Sequence, residues 1–477
     1  MSAEVNESMM LSALYADKFG VNPDSVELLA ASGGYRRYYR LKSYERGDVI
    51  GTYGDDISEN RAFLYLDDAL RRAGCAVPEV YAVSDDESCY LQEDFGDLQL
   101  LSIIQKEPDF GFDLLKEAVG DLVRIQCAST IDFNDERLQK TFDAEMVMRD
   151  LNYFKYCFMK VAGVEVDEDA LQSDFNAVCA DVATATQRLS GFMYRDCQSR
   201  NIMVNDGRLH WIDFQGGRKG PMIYDVVSLL WQAKAGLSAS QRKELLDVYF
   251  AEMVKYCDYP MEWRGKDVGL FALLRTLQVL GAYGFRGLTQ HRAHFVTSIP
   301  AAFGNVRELL ESGTVDMYPA LKDALSRLCD LERFKVESSD GKLTVEVFSF
   351  SYKKGYPEDL SGNGGGYMFD CRAMHNPGRY AEYRSLTGRD KAVIDFLEDR
   401  GEVQDFLACV YPMARKAVDR YLHRGFTHLQ FGFGCTGGQH RSVYCAEKLA
   451  HYLRNEIADA ALRIVLRHRE QQIEDEL

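Results

Sequence analysis

The sequence predicts two folded units in tandem: a bilobal α+β unit, with a small β-rich lobe before a helical lobe, and then an α/β unit with a mainly parallel sheet. Three observations predict this. Short apolar, strand-like runs crowd residues 25 to 97, helical periodicity dominates from Phe110 to Phe250 and again at residues 270 to 280, and from Leu343 onward strands alternate with helices. Alternation of that kind covers both faces of a parallel sheet. At 477 residues the chain is also too long for one core, given roughly 100 to 200 residues per domain.

In the β-rich lobe the strand-like segments are residues 26–31, 38–42, 49–53 and 89–92, with an amphipathic helix near 59–73. The turn Ser32-Gly33-Gly34 breaks the first two strands. In the helical lobe one strand-like run interrupts the periodicity, from Arg208 to Phe214. The pattern resets between residues 313 and 340, where a helix at 319–331 gives way to the polar turn Glu337-Ser338-Ser339-Asp340-Gly341. We place the boundary near residue 326, giving 1–325 (β-rich lobe about 1–97, helical lobe about 98–325) and 326–477. The second unit reads as strand 343–350, glycine-rich loop 361–366, strand 367–371, helices from Arg389 and Val403, strand 427–433, helix from His440 and strand 462–466.

Hydrophobic residues at 46% and only 10 prolines describe a folded chain rather than a disordered one. From Arg327 onward 22 Lys and Arg face 23 Asp and Glu, so nearly all of the net charge of −17 sits in the first part. An acidic first part needs a cation or local arginines to hold a polyanion, and neither part has the excess of a strongly basic nucleic-acid protein. The 12 cysteines include no C-x-x-C pair and read as reduced core thiols. With an acidic N-terminus and no apolar run of about 18 residues, this predicts a cytoplasmic location and no membrane partner. The end, Glu474-Asp475-Glu476-Leu477, reads as an acidic tail.

The sharpest chemical signal is Tyr194-Arg195-Asp196-Cys197-Gln198-Ser199-Arg200-Asn201, followed by Trp211-Ile212-Asp213-Phe214. Phosphoryl transfer needs one carboxylate to accept the acceptor hydroxyl's proton, and oxygen ligands to hold a hard cation against a triphosphate. Asp196 is the candidate catalytic base, and Asn201 and Asp213 the candidate magnesium ligands. The spacing D-x4-N carries little alone; its place between a helical run and an apolar strand, downstream of a β-rich lobe, gives it weight.

On these motifs the chain resembles the aminoglycoside phosphotransferase, or choline-kinase-like, family over about residues 25 to 310. The resemblance implies a protein-kinase-like fold, ATP and Mg2+. It is closest to the anomeric kinases of N-acetylmuramate and N-acetylglucosamine, through Ser32 to Arg40, Leu91-Gln92-Glu93-Asp94-Phe95-Gly96-Asp97, and Ile212 to Gln215 with Gly220 to Asp225. In that family the catalytic loop reads H-G-D-x4-N, whereas Tyr194-Arg195 stand here in place of His-Gly. The strand Val49-Ile50-Gly51-Thr52-Tyr53-Gly54 also lacks a phosphate-gripping lysine. Gly33 and Gly34, through backbone amides, with Arg36 and Arg37 as cations, are the alternative nucleotide grip, and Glu93 and Asp94 the interlobe hinge near the adenine. Asp225 is expected to N-cap a helix. Asp143 and Glu145 are expected on a solvated face.

In the second unit, Leu429 to Ser442 runs strand, glycine turn, helix, around Gly434-Cys435-Thr436-Gly437-Gly438-Gln439-His440-Arg441. Glycines let successive backbone N–H groups converge, and the following helix presents its positive end, so this is a phosphate or other anion site. Cys435 and Arg441 also fit C-x5-R, the cradle of cysteine phosphatases, though Gly434 stands where those enzymes carry His. A different resemblance is carried by Phe369-Asp370-Cys371-Arg372, Asn376-Pro377, Arg384 to Lys391 and Gly434 to Ser442: these look like the C-terminal domain of the RNase adapter protein RapZ. It implies binding of an amino-sugar phosphate and RNA, with Cys435, Thr436, Gly437, Gly438, His440 and Arg441, together with Asp370, Arg372 and Arg384, at the phosphate. No G-x4-G-K-[ST] P-loop precedes it here. Arg463, Arg467, His468 and Arg469 are candidates for a basic edge toward RNA.

These readings converge on an ATP- and magnesium-dependent kinase that phosphorylates a sugar hydroxyl, with a phosphosugar- or RNA-binding regulatory domain behind it. The alternatives are a non-catalytic, pseudokinase-type RNA adapter and a cysteine phosphatase in the second unit.

Overall fold

Strand alternation builds the first sheet of the computed structural model, which describes residues 3–29, 36–290, 292–296, 298–331, 334, 342–357, 366–424, 426–457 and 459–477. Strands β1 (Ser25–Leu28), β2 (Arg37–Lys42), β3 (Val49–Tyr53), β4 (Val80–Val83) and β5 (Cys89–Glu93) lie in the antiparallel order β1-β2-β3-β5-β4. Successive side chains point to opposite faces. On one face Tyr39, Leu41, Val49, Cys89 and Leu91 form a buried cluster with Leu11 and Tyr15 of helix α1 (Ala3–Phe19). Gly51 permits this close approach, because a Cβ there would stand 2.7 Å from Leu41 and 2.9 Å from Leu11. The other face carries Tyr38, Thr52 and Tyr90 side by side in register. Helix α2 (Ile57–Arg72) starts where Asp56 accepts the N–H groups of Ser58 and Glu59, and it buries Phe63, Leu66 and Leu70.

Neither α1 nor β4 was anticipated from the sequence, and the turn at Gly33 and Gly34 lies outside the described residues.

The helical lobe comprises α3 (Leu100–Lys106), α4 (Pro108–Gln126), α5 (Ala144–Phe154), α6 (Glu168–Arg188), α7 (Met222–Leu230), α8 (Ala239–Met253) and α9 (Met261–Tyr283), with the short α10 (Ala293–Val296), α11 (Ile299–Glu311) and α12 (Pro319–Cys329) after them. Two small antiparallel pairs lie among the helices, β6 (Ser190–Met193) with β9 (Arg218–Pro221) and β7 (Ile202–Asn205) with β8 (Arg208–Trp211). The strand expected to reach Phe214 stops at Trp211, because Asp213 has φ +70, which no strand accommodates. The stretch Met261–Thr289 is long and apolar enough to cross a membrane, contrary to the expectation that no run would be; 67% of its most apolar window is buried, as in a core helix.

In the second unit β10 (Leu343–Ser351) sits at the centre of the order β11-β12-β10-β13-β14, with β11 (Tyr367–Asp370), β12 (His428–Cys435), β13 (Leu462–His468) and β14 (Ile473–Glu476). Three pairings are parallel, and only β13 with β14 is antiparallel. The expected acidic tail is thus the edge strand β14. Helices α13 (Lys391–Glu398), α14 (Glu402–His423) and α15 (Arg441–Glu456) cover the sheet, packing Val403, Leu407, Val410, Leu449 and Leu453 against Val345, Val347, Phe431 and Ile464. Most of loop 361–366 falls outside the described residues. By internal contacts the chain divides into two compact units, 1–285 with 301–329, and 286–300 with 330–477.

Candidate active site and anion loop

The segment Tyr194 to Asn201 connects β6 to β7 and is held from behind. Asp225, in the first turn of α7 and fully buried, accepts the backbone N–H of Tyr194 at 2.6 Å, that of Arg195 at 3.0 Å and the Gln126 amide at 3.1 Å. Its role is therefore not the expected N-cap, a position that Pro221 occupies. Burial pushes the Asp225 carboxyl up to about 7, against the pull of those donors. The Ser199 N–H and hydroxyl both donate to Gln232, fixing the far end of the loop.

Arg195 has φ +76, a conformation that favours glycine. That explains why the resembled motif carries Gly there. Here Arg195 is retained by a bidentate pair with Asp150 of α5, at 2.7 and 2.9 Å, and lies over the rings of Phe142 and Tyr224. The hydroxyl of Tyr194 donates to the carbonyl of Ile212, and its ring meets Phe214 edge-on. Phe214 in turn stacks on Phe63 of α2, so one aromatic column joins the helix, the Tyr194–Asn201 loop and the Asp213 turn.

The three candidate groups converge. Asn201 Nδ2 donates to the Asp196 carbonyl at 2.9 Å and stands 3.5 Å from its carboxylate, which leaves the amide oxygen for a cation. Burial pushes the Asp196 carboxyl up, but Arg275 and Arg200, each 3.5 Å away, and hydrogen bonds from Gln198 and Asn201 hold it below its ordinary value. Asp213 is raised instead, by burial and by the Asp196 charge, although Gln215 donates to it at 2.7 Å. Two carboxylates and an amide oxygen with excess negative charge between them form a donor set that fits a hard divalent cation.

Arg36 is buried on the site-facing side of the first sheet. Its guanidinium donates to the Tyr90 hydroxyl at 3.2 Å and the Glu59 carbonyl at 2.8 Å, lies 3.9 Å from the Glu59 carboxylate, and is among the cations that lower Asp213. Its hydrogen-bond partner Tyr90 is the cross-strand neighbour of Thr52, in the strand that lacks a lysine. Arg37 points to the opposite face, paired with Glu7 at 2.6 Å and Asp55 at 3.4 Å. Asp94 is paired with Arg40 in the connection to α3, and Glu93 Oε2 accepts the N–H of Glu79 at 3.3 Å. Asp143 N-caps α5, and Glu145 pairs with Arg149 on an exposed face.

In the second unit, β12 ends at Cys435 and α15 begins at Arg441. Burial pushes the Cys435 thiol up, but the Ser442 hydroxyl at 3.1 Å, the N–H groups of Ser442 and Gln439, and the Arg441 charge hold it below its ordinary value. Gly438 has φ +66, and a Cβ there would lie 2.4 Å from Glu470. Thr436 and Gly437 are exposed at the tip of the loop. The side chains of His440 and Arg441 turn inward: His440 Nε2 lies 2.8 Å from the Tyr383 carbonyl, and Arg441 donates to the carbonyls of Arg372 at 3.0 Å and Met374 at 2.7 Å. Around them, Asp370 pairs with Arg372 at 2.6 Å, and exposed Arg384 gives its carbonyl to Gln439 at 2.9 Å. The expected basic edge is neutralised: Arg463 pairs with Glu476, Arg467 with Glu346 and Glu474, Arg469 with Glu470, and His468 is buried.

Residues 51–259 match the model of the phosphotransferase enzyme family, and residues 343–472 match the RapZ C-terminal domain. The chain carries a phosphotransferase-family domain and a RapZ C-terminal domain. Over 141 residues, 30% of its length, it is 36% identical to a nucleotide-binding protein of Ruegeria pomeroyi and spans 46% of that relative. It is 29% identical over 262 residues, 53% of its length, to a nucleotide-binding protein of Laribacter hongkongensis, spanning 84% of it. The chain thus spans about half the length of the first curated relatives it matches. Among solved structures it is similar to amicoumacin kinase in complex with AMP-PNP, Ca2+ and Ami (13% identity, TM-score 0.46, covering 60% of this chain and 89% of that one). A choline kinase of Streptococcus pneumoniae gives 14% identity and a TM-score of 0.42, covering 65% and 99%.

Several residues of the phosphotransferase domain escaped the sequence reading: Asp150, Arg275 and Glu59, each acting through a partner distant in sequence. The missing glycine before Asp196 was the one signal available, since a non-glycine at such a position demands a restraint.

Proposed function

We propose that the chain is an ATP- and magnesium-dependent kinase that phosphorylates a sugar hydroxyl, the anomeric one of N-acetylmuramate or N-acetylglucosamine, with the domain boundary near residue 326. The observation that carries this reading is the convergence of Asp196 and Asn201, on the loop between β6 and β7, with Asp213, in the turn after β8. Asp196, kept ionised by Arg275 and Arg200, accepts the proton of the attacking hydroxyl. Asn201 and Asp213 would hold magnesium, which supplies charge neutralisation at the phosphates. Arg36, braced by Glu59, supports the grip that the lysine-free strand lacks. Glu93 and Asp94 lie where the two lobes of the domain connect and would flank the adenine.

The C-terminal domain, in this reading, binds the phosphate of a phosphosugar at Cys435 to Gly438. Neutralisation of the basic edge favours the phosphosugar over RNA. A cytoplasmic location accords with the twelve free thiols.

The test is ATP consumption with magnesium against a panel of hexosamines, muramic acid derivatives, choline and aminoglycosides, beside Asp196→Asn. Turnover with one sugar, falling by about a hundredfold or more in the variant, is expected; turnover with no acceptor returns the chain to the non-catalytic adapter class.

A further inference from the structure

Three of the free thiols meet in the RapZ C-terminal domain. Cys371, Cys435 and Cys445 belong to one buried cluster. Strands β11 and β12 pair in parallel up to Asp370 opposite Gly434, and the next residue on each is a cysteine. Paired residues share a face of the sheet: Tyr367 stacks on Phe431 and Phe369 on Phe433, and two residues further along stand Cys371 and Cys435. Neighbouring strands run about 5 Å apart, within the roughly 4.4 to 6.8 Å between Cα atoms that a disulfide spans. Cys371 also hydrogen-bonds Cys445 of α15 and feels the charge of Cys435. Among the described residues no three His, Cys, Asp or Glu side chains are placed to hold a metal ion, so the cluster calls for another role.

The two thiols differ in chemistry. Burial pushes both up, but at Cys435 the Ser442 hydroxyl, the N–H groups of Ser442 and Gln439 and the Arg441 charge hold the thiol below its ordinary value. Cys371 stays well above it, through burial, the bond with Cys445 and the charges of Cys445 and Cys435. The thiolate is the form that attacks a peroxide. Cys435 also keeps 3% exposure at the base of a loop whose Thr436 and Gly437 are exposed, whereas Cys371 and Cys445 keep none. One sulfur is thus poised to be oxidised and its neighbour to resolve it.

We propose that Cys435 and Cys371 form a peroxide-sensitive pair that closes into a disulfide and dismantles the anion loop. The Cys435 thiolate attacks hydrogen peroxide, the O–O bond breaks, and a sulfenic acid forms while hydroxide leaves and takes up a proton. The Cys371 sulfur then attacks the sulfenic sulfur, and its proton departs with the hydroxyl as a second water. Two thiols thereby lose two electrons and two protons to one peroxide. Closure draws the Cys435 sulfur from the Ser442 hydroxyl, and it ties the loop to the residue before Arg372, whose carbonyl anchors Arg441. This rests on the anion-loop reading above and not on the kinase one.

The test treats the reduced full chain with hydrogen peroxide, alkylates it and maps its peptides by mass spectrometry. A Cys371–Cys435 link that dithiothreitol reverses is expected, absent from Cys371→Ser and Cys435→Ser and kept in Cys445→Ser. No link, or one joining Cys371 to Cys445 in its place, overturns the inference. Hydrogen exchange of the peptide spanning 435–442 reads the loop without a ligand: it should quicken by about tenfold or more on oxidation, as for the loss of a hydrogen bond, and recover with dithiothreitol. Unchanged exchange in the linked protein overturns the effect on the loop. Calorimetric titration with inorganic phosphate keeps the ligand reading separate: the reduced protein should bind it, and the linked protein about tenfold or more weakly. If the reduced protein binds none, the ligand reading fails, while the link and the exchange still decide the thiol pair.

Discussion

At Arg195 two effects oppose each other. A non-glycine residue at φ +76 stores about 1 kcal/mol or somewhat more. Breaking a buried pair by removing one partner costs about 3 to 5 kcal/mol. Arg195 and Asp150 are 18% and 13% exposed, so the pair outweighs the strain. Arg195→Gly, which restores the familiar motif, should therefore lower the melting temperature by several degrees rather than raise it. Adding Asp150→Asn, which removes the stranded charge, should recover part of the loss. A calorimetric melt of the three proteins checks this, and an Arg195→Gly variant as stable as wild type would show that relief of backbone strain offsets the lost ion pair in full. The candidate groups Asp196, Asn201 and Asp213 stood out in the sequence because the pattern is compressed into D-x4-N and a nearby aspartate. Arg275 and Glu59 did not, because packing between elements well separated along the chain brings Arg275 to Asp196 and Glu59 to Arg36.

At the scale of the element, α2 carries two groups with opposite lessons. Glu59 braces Arg36, so Arg36→Met should raise KM for ATP by about tenfold or more while Arg36→Lys keeps part of the affinity. Steady-state titration with ATP reads this directly. Further along the helix, Asp67 is buried with one carboxylate oxygen unpartnered, and burial pushes its pKa from 3.8 to about 7. The folded state thus holds the proton more tightly than the unfolded chain. Stability from this group is full below about pH 4 and lost as the pH rises through about 7, by up to about 4 kcal/mol. Asp67→Asn should melt higher than wild type at pH 8, and the gap should close by pH 4. A gap independent of pH would mean that Asp67 stays ionised in the fold. The helix was legible from its amphipathic period, β3 from a short β-branched and aromatic segment, and β10 from the alternation of apolar residues with Thr344, Glu346 and Ser349. Helix α1 was missed because one of its three deeply buried positions among the described residues is the charged Glu7, beside Leu11 and Tyr15, which blurs the periodic signal. Strand β14 was missed because an edge strand rich in Glu and Asp reads as a solvated tail.

Across the whole molecule, each domain has a separate candidate site for a phosphate-bearing ligand. A ligand that binds only one folded domain stabilises that domain by about 2.7 kcal/mol at a hundred times its dissociation constant. Two thermal transitions are therefore expected. Mg2+ with AMP-PNP should raise the one belonging to the phosphotransferase domain, and an amino-sugar phosphate the one belonging to the RapZ C-terminal domain. Cys435 and Ser442 should matter to the second shift and not to the first, because the Ser442 hydroxyl bonds the Cys435 thiol, which also meets the N–H groups of Gln439 and Ser442, and these contacts shape only that site. Ser442→Ala should shrink the response to the phosphosugar and leave that to the nucleotide intact. Asp213→Asn should do the reverse. If the phosphosugar raises both transitions, binding in one domain changes the free energy of the other by the same amount in each direction. The affinity for Mg2+ with AMP-PNP, titrated with and without the phosphosugar, should then differ by that same amount.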